Sequence, residues 1–250
     1  IGGPFPTHKT PMKFSGERSL ADGANELVLR FESPEQGGVR LVKTYTLKRG
    51  DYVARVRHEV VNAGGAPVSP QLYVQLVRDG NPAPGGTSFY STFTGPAFYT
   101  DAKKFQKVEF ADIDKGKAEF VTQAPDGWVA MVQHYFASAW LLPPGMAHDN
   151  FARKLDNALY AAGMIAPMGA IAPGASQAVE TRLFIGPQDE KVLEGIAPGL
   201  ELVKDYGYFT ILAKPLYWLL DKLHGVLGNW GWAIVALVVL LKIAFYWLNA

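Results

Sequence analysis

The chain is 250 residues long, 48% of them apolar and 19% charged, enough to bury one large β core or two modest domains, which excludes a disordered chain. Its 24 Lys and Arg against 23 Asp and Glu leave a formal charge of +1, with no basic stripe carrying interleaved aromatics, which argues against nucleic acid as a partner. No cysteine occurs, so disulfides and thiolate metal sites are excluded.

Ile1 to Pro11 begin in Gly and Pro without a basic-then-apolar leader, so any export signal is expected upstream. From Glu26 to about Gly186 the chain reads as strands separated by Gly, Pro, Asn and Asp turns. Leu27, Leu29 and Phe31 alternate with polar residues, as do Leu72, Val74 and Leu76, and later Val179, Thr181, Leu183 and Ile185; each run predicts a half-buried strand. Val39–Leu47 and Tyr52–Val61 predict a hairpin turned by Lys48-Arg49-Gly50-Asp51. Gly85-Gly86-Thr87-Ser88 reads as a loop, and the aromatics Phe89, Tyr90, Phe93, Phe98 and Tyr99 either pack inside or line an exposed cleft. The nearly uncharged run Trp128–Leu142 fits a strand pair covered on both faces, with a buried helix as the alternative. Many short strands with little helical periodicity predict a mainly β, antiparallel sandwich over residues 1–200.

Gln188-Asp189-Glu190-Lys191 opens a short helix that Pro198-Gly199 ends. In the next segment, 201–228, Pro215 suits a first helical position and Gly228-Asn229 a stop. Leu212, Leu216, Leu219, Leu220, Leu223 and Leu227 fall on one helical stripe, with Lys214, Tyr217, Asp221 and His224 on the other side. Such a helix either packs on its own domain or lies in a membrane interface, and the long apolar run C-terminal to it favours the interface.

Trp230 to Leu248 form a run of nineteen residues interrupted by Lys242 alone; as a helix it is about 28 Å long, close to the bilayer's hydrocarbon thickness. Residues 229–250 are therefore expected to be a transmembrane helix, with Trp230, Trp232, Tyr246 and Trp247 as membrane-interface aromatics. A lysine deep in such a run costs about 2.5–3.5 kcal/mol on insertion scales, so Lys242 either faces a wet cavity or snorkels to the nearby interface.

Several strings then resemble the YidC family of membrane protein insertases: Lys43-Thr44-Tyr45-Thr46-Leu47-Lys48-Arg49-Gly50-Asp51-Tyr52, Gly127-Trp128-Val129-Ala130-Met131, Lys214-Pro215-Leu216 and Gly228-Asn229-Trp230-Gly231-Trp232. The resemblance implies a periplasmic β-supersandwich similar to galactose mutarotase, residues 1–205 on the periplasmic side of the bacterial inner membrane, an interfacial helix, and the start of the second membrane helix. It also implies that Lys242 supplies the positive charge of a hydrated substrate groove, where the family usually has arginine, and that Trp247 stands where the family usually has proline. The implied partners are nascent membrane proteins, the Sec translocon and the lipid bilayer. No cofactor and no covalent chemistry are implied.

A sugar-binding or mutarotase-like module is the rival reading of such a sandwich. His58, His134 and His148, with Glu59, Asp149 and Glu180, are the available acid–base groups, but their spacing matches no motif. No phosphate loop, nucleophile elbow or metal-ligand pair appears in the sequence. A docking module for partner proteins is a third reading, compatible with the insertase resemblance.

Overall fold

The computed structural model describes residues 5–81, 93–155, 158–204 and 210–246. The chain divides into two units, Ile1–Lys204 and Asp205–Ala250.

The first unit is two antiparallel sheets. Its strands run in chain order as β1 (Lys13–Ser15), β2 (Glu26–Glu32), β3 (Val39–Lys48), β4 (Val53–Asn62), β5 (Gln71–Asp79), β6 (Gly95–Thr100) and β7 (Lys104–Lys107). After the short helix α1 (Phe110–Asp114) come β8 (Gln123–Ala124), β9 (Trp128–Val132), β10 (Phe136–Leu141), β11 (His148–Lys154), β12 (Leu159–Pro167) and β13 (Ser176–Pro187). Nine strands form one sheet in the order β1-β2-β3-β4-β13-β10-β9-β6-β7, and β5-β12-β11-β8 form the other.

The expected hairpin is β3–β4, turned at Gly50, whose φ of 75° is the left-handed conformation that glycine adopts without a Cβ penalty. The strand reading of Trp128–Leu142 also holds, as β9 pairs with β10. Its lack of charge has a physical cause, because the centre of the nine-stranded sheet is covered on both sides. One face meets the four-stranded sheet through Val56, Phe98, Val129 and Trp140, packed with Leu72, Val74 and Met164. The other face, through Ala97, Tyr99, Trp128, Ala130 and Phe184, is covered by Leu193, Leu200 and Val203. Those last residues belong to helix α2 (Glu190–Glu194), capped by the Asp189 side chain accepting the Lys191 N–H, and to a 3-10 turn at Leu200–Val203 that the sequence pattern does not predict.

Two indole N–H groups tie the layers: Trp140 Nε1 donates to the Gln75 carbonyl across the sheets, and Trp128 Nε1 donates to the Pro198 carbonyl beneath the 3-10 turn, both at 3.1 Å. Gly127, at φ 106°, passes so close to the Tyr99 carbonyl that any Cβ would overlap it.

One alternation reads differently from expectation. Thr181 is buried and Val179 and Leu183 are partly so, but Ile185 is exposed and Phe184 is fully buried. Since β13 is covered on both faces, its even positions also enter a core, and Ile185 lies at the rim of the face it was expected to bury. Phe93, Phe98 and Tyr99 are buried, which settles their packing; Phe89, Tyr90 and the 85–88 loop lie outside the described residues.

The second unit contains α3 (Thr210–Leu227) and α4 (Trp230–Ala244), which pack on each other. Helix α3 starts five residues earlier than expected, so Pro215 is inside it. There it offers no N–H to the carbonyl four residues back, which thins the hydrogen-bond ladder near the helix start. Gly228 ends α3 at φ 65°, its N–H donating to the His224 carbonyl at 2.8 Å, and the Asn229 side chain caps α4 by accepting the Trp232 N–H at 3.3 Å. The expected stop is thus also a start.

Candidate functional site

Helix α3 carries the predicted leucine stripe. Leu216, Leu219, Leu220 and Leu223 are half-buried, while Leu212 and Leu227 at its ends are exposed together with Trp218 and Val226. The His224 ring stacks on Trp230 with centroids 3.8 Å apart, joining the polar side of α3 to the start of α4.

Helix α4 is apolar around its circumference. Ala233 is buried, whereas Ile234, Val235, Val238, Val239 and Leu240 are about half exposed and Ile243 is 65% exposed. A helix of a water-soluble domain buries one stripe and turns polar residues outward; one that presents Ile, Val and Leu on several sides is suited to an apolar surrounding. Trp230 and Trp232 at one end and Tyr246 at the other are exposed. Lys242 is exposed, with Val238, Val239, Phe245 and Tyr246 as its neighbours three and four positions away. The nineteen-residue run is helical over 15 residues, about 22 Å, with Phe245 at its C-cap. Among the described residues no helix is long and apolar enough to cross a membrane, and Trp247 lies outside the described residues.

The sandwich places the candidate acid–base residues apart. His58 and Glu59 line a cavity of about 80 Å³ between the sheets, beside Lys43, Tyr73 and the covering segment Phe5–His8. His148 and Asp149 line a different opening. His134 stands in the turn between β9 and β10, its ring against Tyr135. The first cavity also has His8 in its wall, so it brings two histidines and Glu59 together, but His58 and Glu59 are adjacent on β4 and their side chains point to opposite faces of the sheet, which does not make the paired acid–base set of a sugar epimerase.

His58 is instead a structural histidine. Its Nε2 lies 3.1 Å from Thr181 Oγ1, and because that hydroxyl donates to the Val56 carbonyl at 3.3 Å, its oxygen is free to accept the Nε2–H. Burial, reinforced by the positive charge of Lys43, pushes His58 down to about 4 from the usual 6.5. Burial also lowers Lys43 from its ordinary range. A histidine whose folded value is depressed leaves the unfolded chain holding more protons between about 4 and 6.5, so stability falls as pH drops through that window. At about 1.4 kcal/mol per decade of proton affinity, the loss is about 3 kcal/mol. Urea midpoints of the wild-type chain and His58→Gln should therefore converge as pH falls from 7 to 4, and parallel pH curves would contradict this.

The cavity cover at Phe5–His8 and the desolvated Lys43 were not anticipated from sequence. The alternation around Lys43, with Leu41 and Tyr45 two positions to either side on one face, is the signal that marks it as inward-facing.

Residues 2–219 match the model of the YidC periplasmic domain. Relatives named "Membrane protein insertase YidC" from Burkholderia vietnamiensis and Burkholderia thailandensis are each 56% identical over 100% of this chain and 45% of their own length. That from Burkholderia cenocepacia is 56% identical over 100% of this chain and 46% of its own. The chain therefore spans a little under half the length of these relatives. Among solved structures, a putative aldose 1-epimerase from Escherichia coli K12 is similar at 13% identity over 66% of this chain and 67% of that one, with a TM-score of 0.39. A galactose mutarotase related enzyme from Lactobacillus acidophilus is similar at 9% identity over 70% of each chain, with a TM-score of 0.42. With one domain model matched over most of its residues and relatives matched along its entire length, the chain belongs to the YidC family and carries that family's periplasmic domain.

Proposed function

We propose that this chain is the periplasmic and membrane-entry part of an insertase that assists insertion and folding of inner-membrane proteins, alone or with the Sec translocon. In this reading residues 1–205 lie on the periplasmic side, α3 lies in the interface with its leucines toward lipid, and α4 belongs to the start of the second membrane helix. Lys242 supplies the positive charge of a hydrated groove. That groove accepts the polar or acidic extramembrane part of an incoming substrate while its apolar segment moves into lipid. The work is electrostatic and steric, and no bond is made or broken.

The observation that carries the reading is α4 itself, an apolar helix with exposed aliphatic side chains on several sides and one cation. Lysine keeps the charge that the groove requires but lacks the planar fork of arginine, so recognition through it is charge attraction rather than bidentate pairing.

Lys242→Met in the full-length protein, at equal protein level, is expected to lower insertion of substrates with acidic extramembrane segments roughly tenfold, the factor that about 1.4 kcal/mol of lost attraction gives. Lys242→Arg should insert them normally. Unaltered insertion of every substrate by the methionine variant would remove Lys242 from the mechanism.

A further inference from the structure

On the face of the nine-stranded sheet covered by α2, three cations converge. Arg55 of β4 stands directly opposite Thr46 of β3 on one side and Arg182 of β13 on the other, so the three form one cross-strand row. Lys48 lies two positions along β3, on the same face. Gly195 and Ile196, just after α2, wall the row into a cavity of about 240 Å³, and Asp51 stands at its hairpin end.

Like charges directly opposite on paired strands destabilise the pairing, so an Arg–Arg pair calls for a compensating anion. The protein does not supply it. Among the described residues no carboxylate comes within ion-pair distance of Lys48, Arg55 or Arg182. Asp51 keeps its charge at the hairpin end, where its Oδ1 accepts the Val53 N–H at 2.9 Å, but it makes no ion pair with the row. Glu26, opposite Lys48 on β2, and Glu180, two positions before Arg182, share the face without pairing to the row. Arg182 is held in place by one bond, Nη1 donating to the Ile196 carbonyl at 2.9 Å, which leaves its remaining N–H groups free for a ligand.

We propose that this cavity is an oxyanion site that takes a phosphate group. Two guanidinium forks and an ammonium around one cavity match the tetrahedral oxygens of a phosphate, and charge-assisted bidentate bonds from arginine are the strong form of that contact. The same chemistry serves a free phosphate or the phosphodiester of an anionic lipid headgroup.

The test uses the full chain, labelled with nitrogen-15 in neutral detergent micelles, and reads the Nε–H signals of Arg55 and Arg182. One arm titrates inorganic phosphate; the other dopes the micelles with phosphatidylglycerol, with phosphatidylcholine as its neutral control. Saturable shifts of both signals are expected, weakened at least tenfold by Arg55→Gln and by Lys48→Gln, and unchanged by Lys117→Gln, an exposed lysine outside the cavity that follows α1, the helix packed on β11 of the other sheet. Shifts with inorganic phosphate assign a free phosphate; shifts confined to phosphatidylglycerol assign the lipid headgroup. Absence of a saturable shift in both arms, or equal weakening by Lys117→Gln, would overturn the proposal, since the attraction would then be absent or general.

Discussion

Phe98→Ala should lower the unfolding free energy of the sandwich by about 3–5 kcal/mol, the range for emptying a fully buried aromatic site. Phe98 has no exposed surface, stacks on Phe120 with centroids 4.5 Å apart, and sits in the core that joins the two sheets. Its strand β6 is paired on both sides, to β9 and β7, so the backbone has little room to collapse into the void. A domain of this kind has about 5–15 kcal/mol in total, so the loss is a large share of it. Phe98→Leu, which keeps most of the volume, should cost much less. Equal denaturant midpoints for wild type and the alanine variant would show that this core does not hold the sheets together.

Val239→Asp is the second large effect, and its sign depends on what surrounds α4. Val239 is half exposed, so in water an aspartate there would be close to neutral for folding. In hydrocarbon, an aspartate near a helix centre costs about 3 kcal/mol or more relative to valine. That corresponds to a drop of about a hundredfold or more in the ratio of membrane-integrated to free chain. The same substitution at Val28, an equally exposed residue on β2 of the sandwich, should leave that ratio unchanged.

Local features were legible in the sequence because local chemistry sets them. The β3–β4 hairpin follows from a Gly50 turn between two β-branched runs, and the double coverage of β9 and β10 follows from the absence of charge between Trp128 and Leu142. The Gly228-Asn229 stop was equally plain, since glycine ends α3, but that Asn229 also caps α4 is seen only in the structure. Pro215 misled because α3 runs on to its N-terminal side although the proline there forgoes one backbone hydrogen bond. Ile185 misled because alternation assigns two faces but does not tell which is covered at a given point along a strand buried on both.

Long-range placement was not legible. Nothing local tells that β13 lies between β4 and β10, so the meeting of Arg55 with Arg182, and of His58 with Thr181, depends on pairings over more than a hundred residues. The 3-10 turn at Leu200–Val203 is likewise defined by the Tyr99–Trp128 surface it covers, where Gly199 packs so closely on the Tyr99 ring that a Cβ would not fit.

The claim on which the functional reading rests is that α4 sits in the hydrocarbon of a membrane, and flotation of the full chain with phospholipid vesicles, washed at alkaline pH to strip peripheral protein, measures it. The wild-type chain and Val28→Asp should float with the vesicles after the wash, while Val239→Asp should shift toward the free fraction by about a hundredfold. Equal behaviour of the Val239 and Val28 variants, or release of the wild-type chain by the wash, would contradict the account.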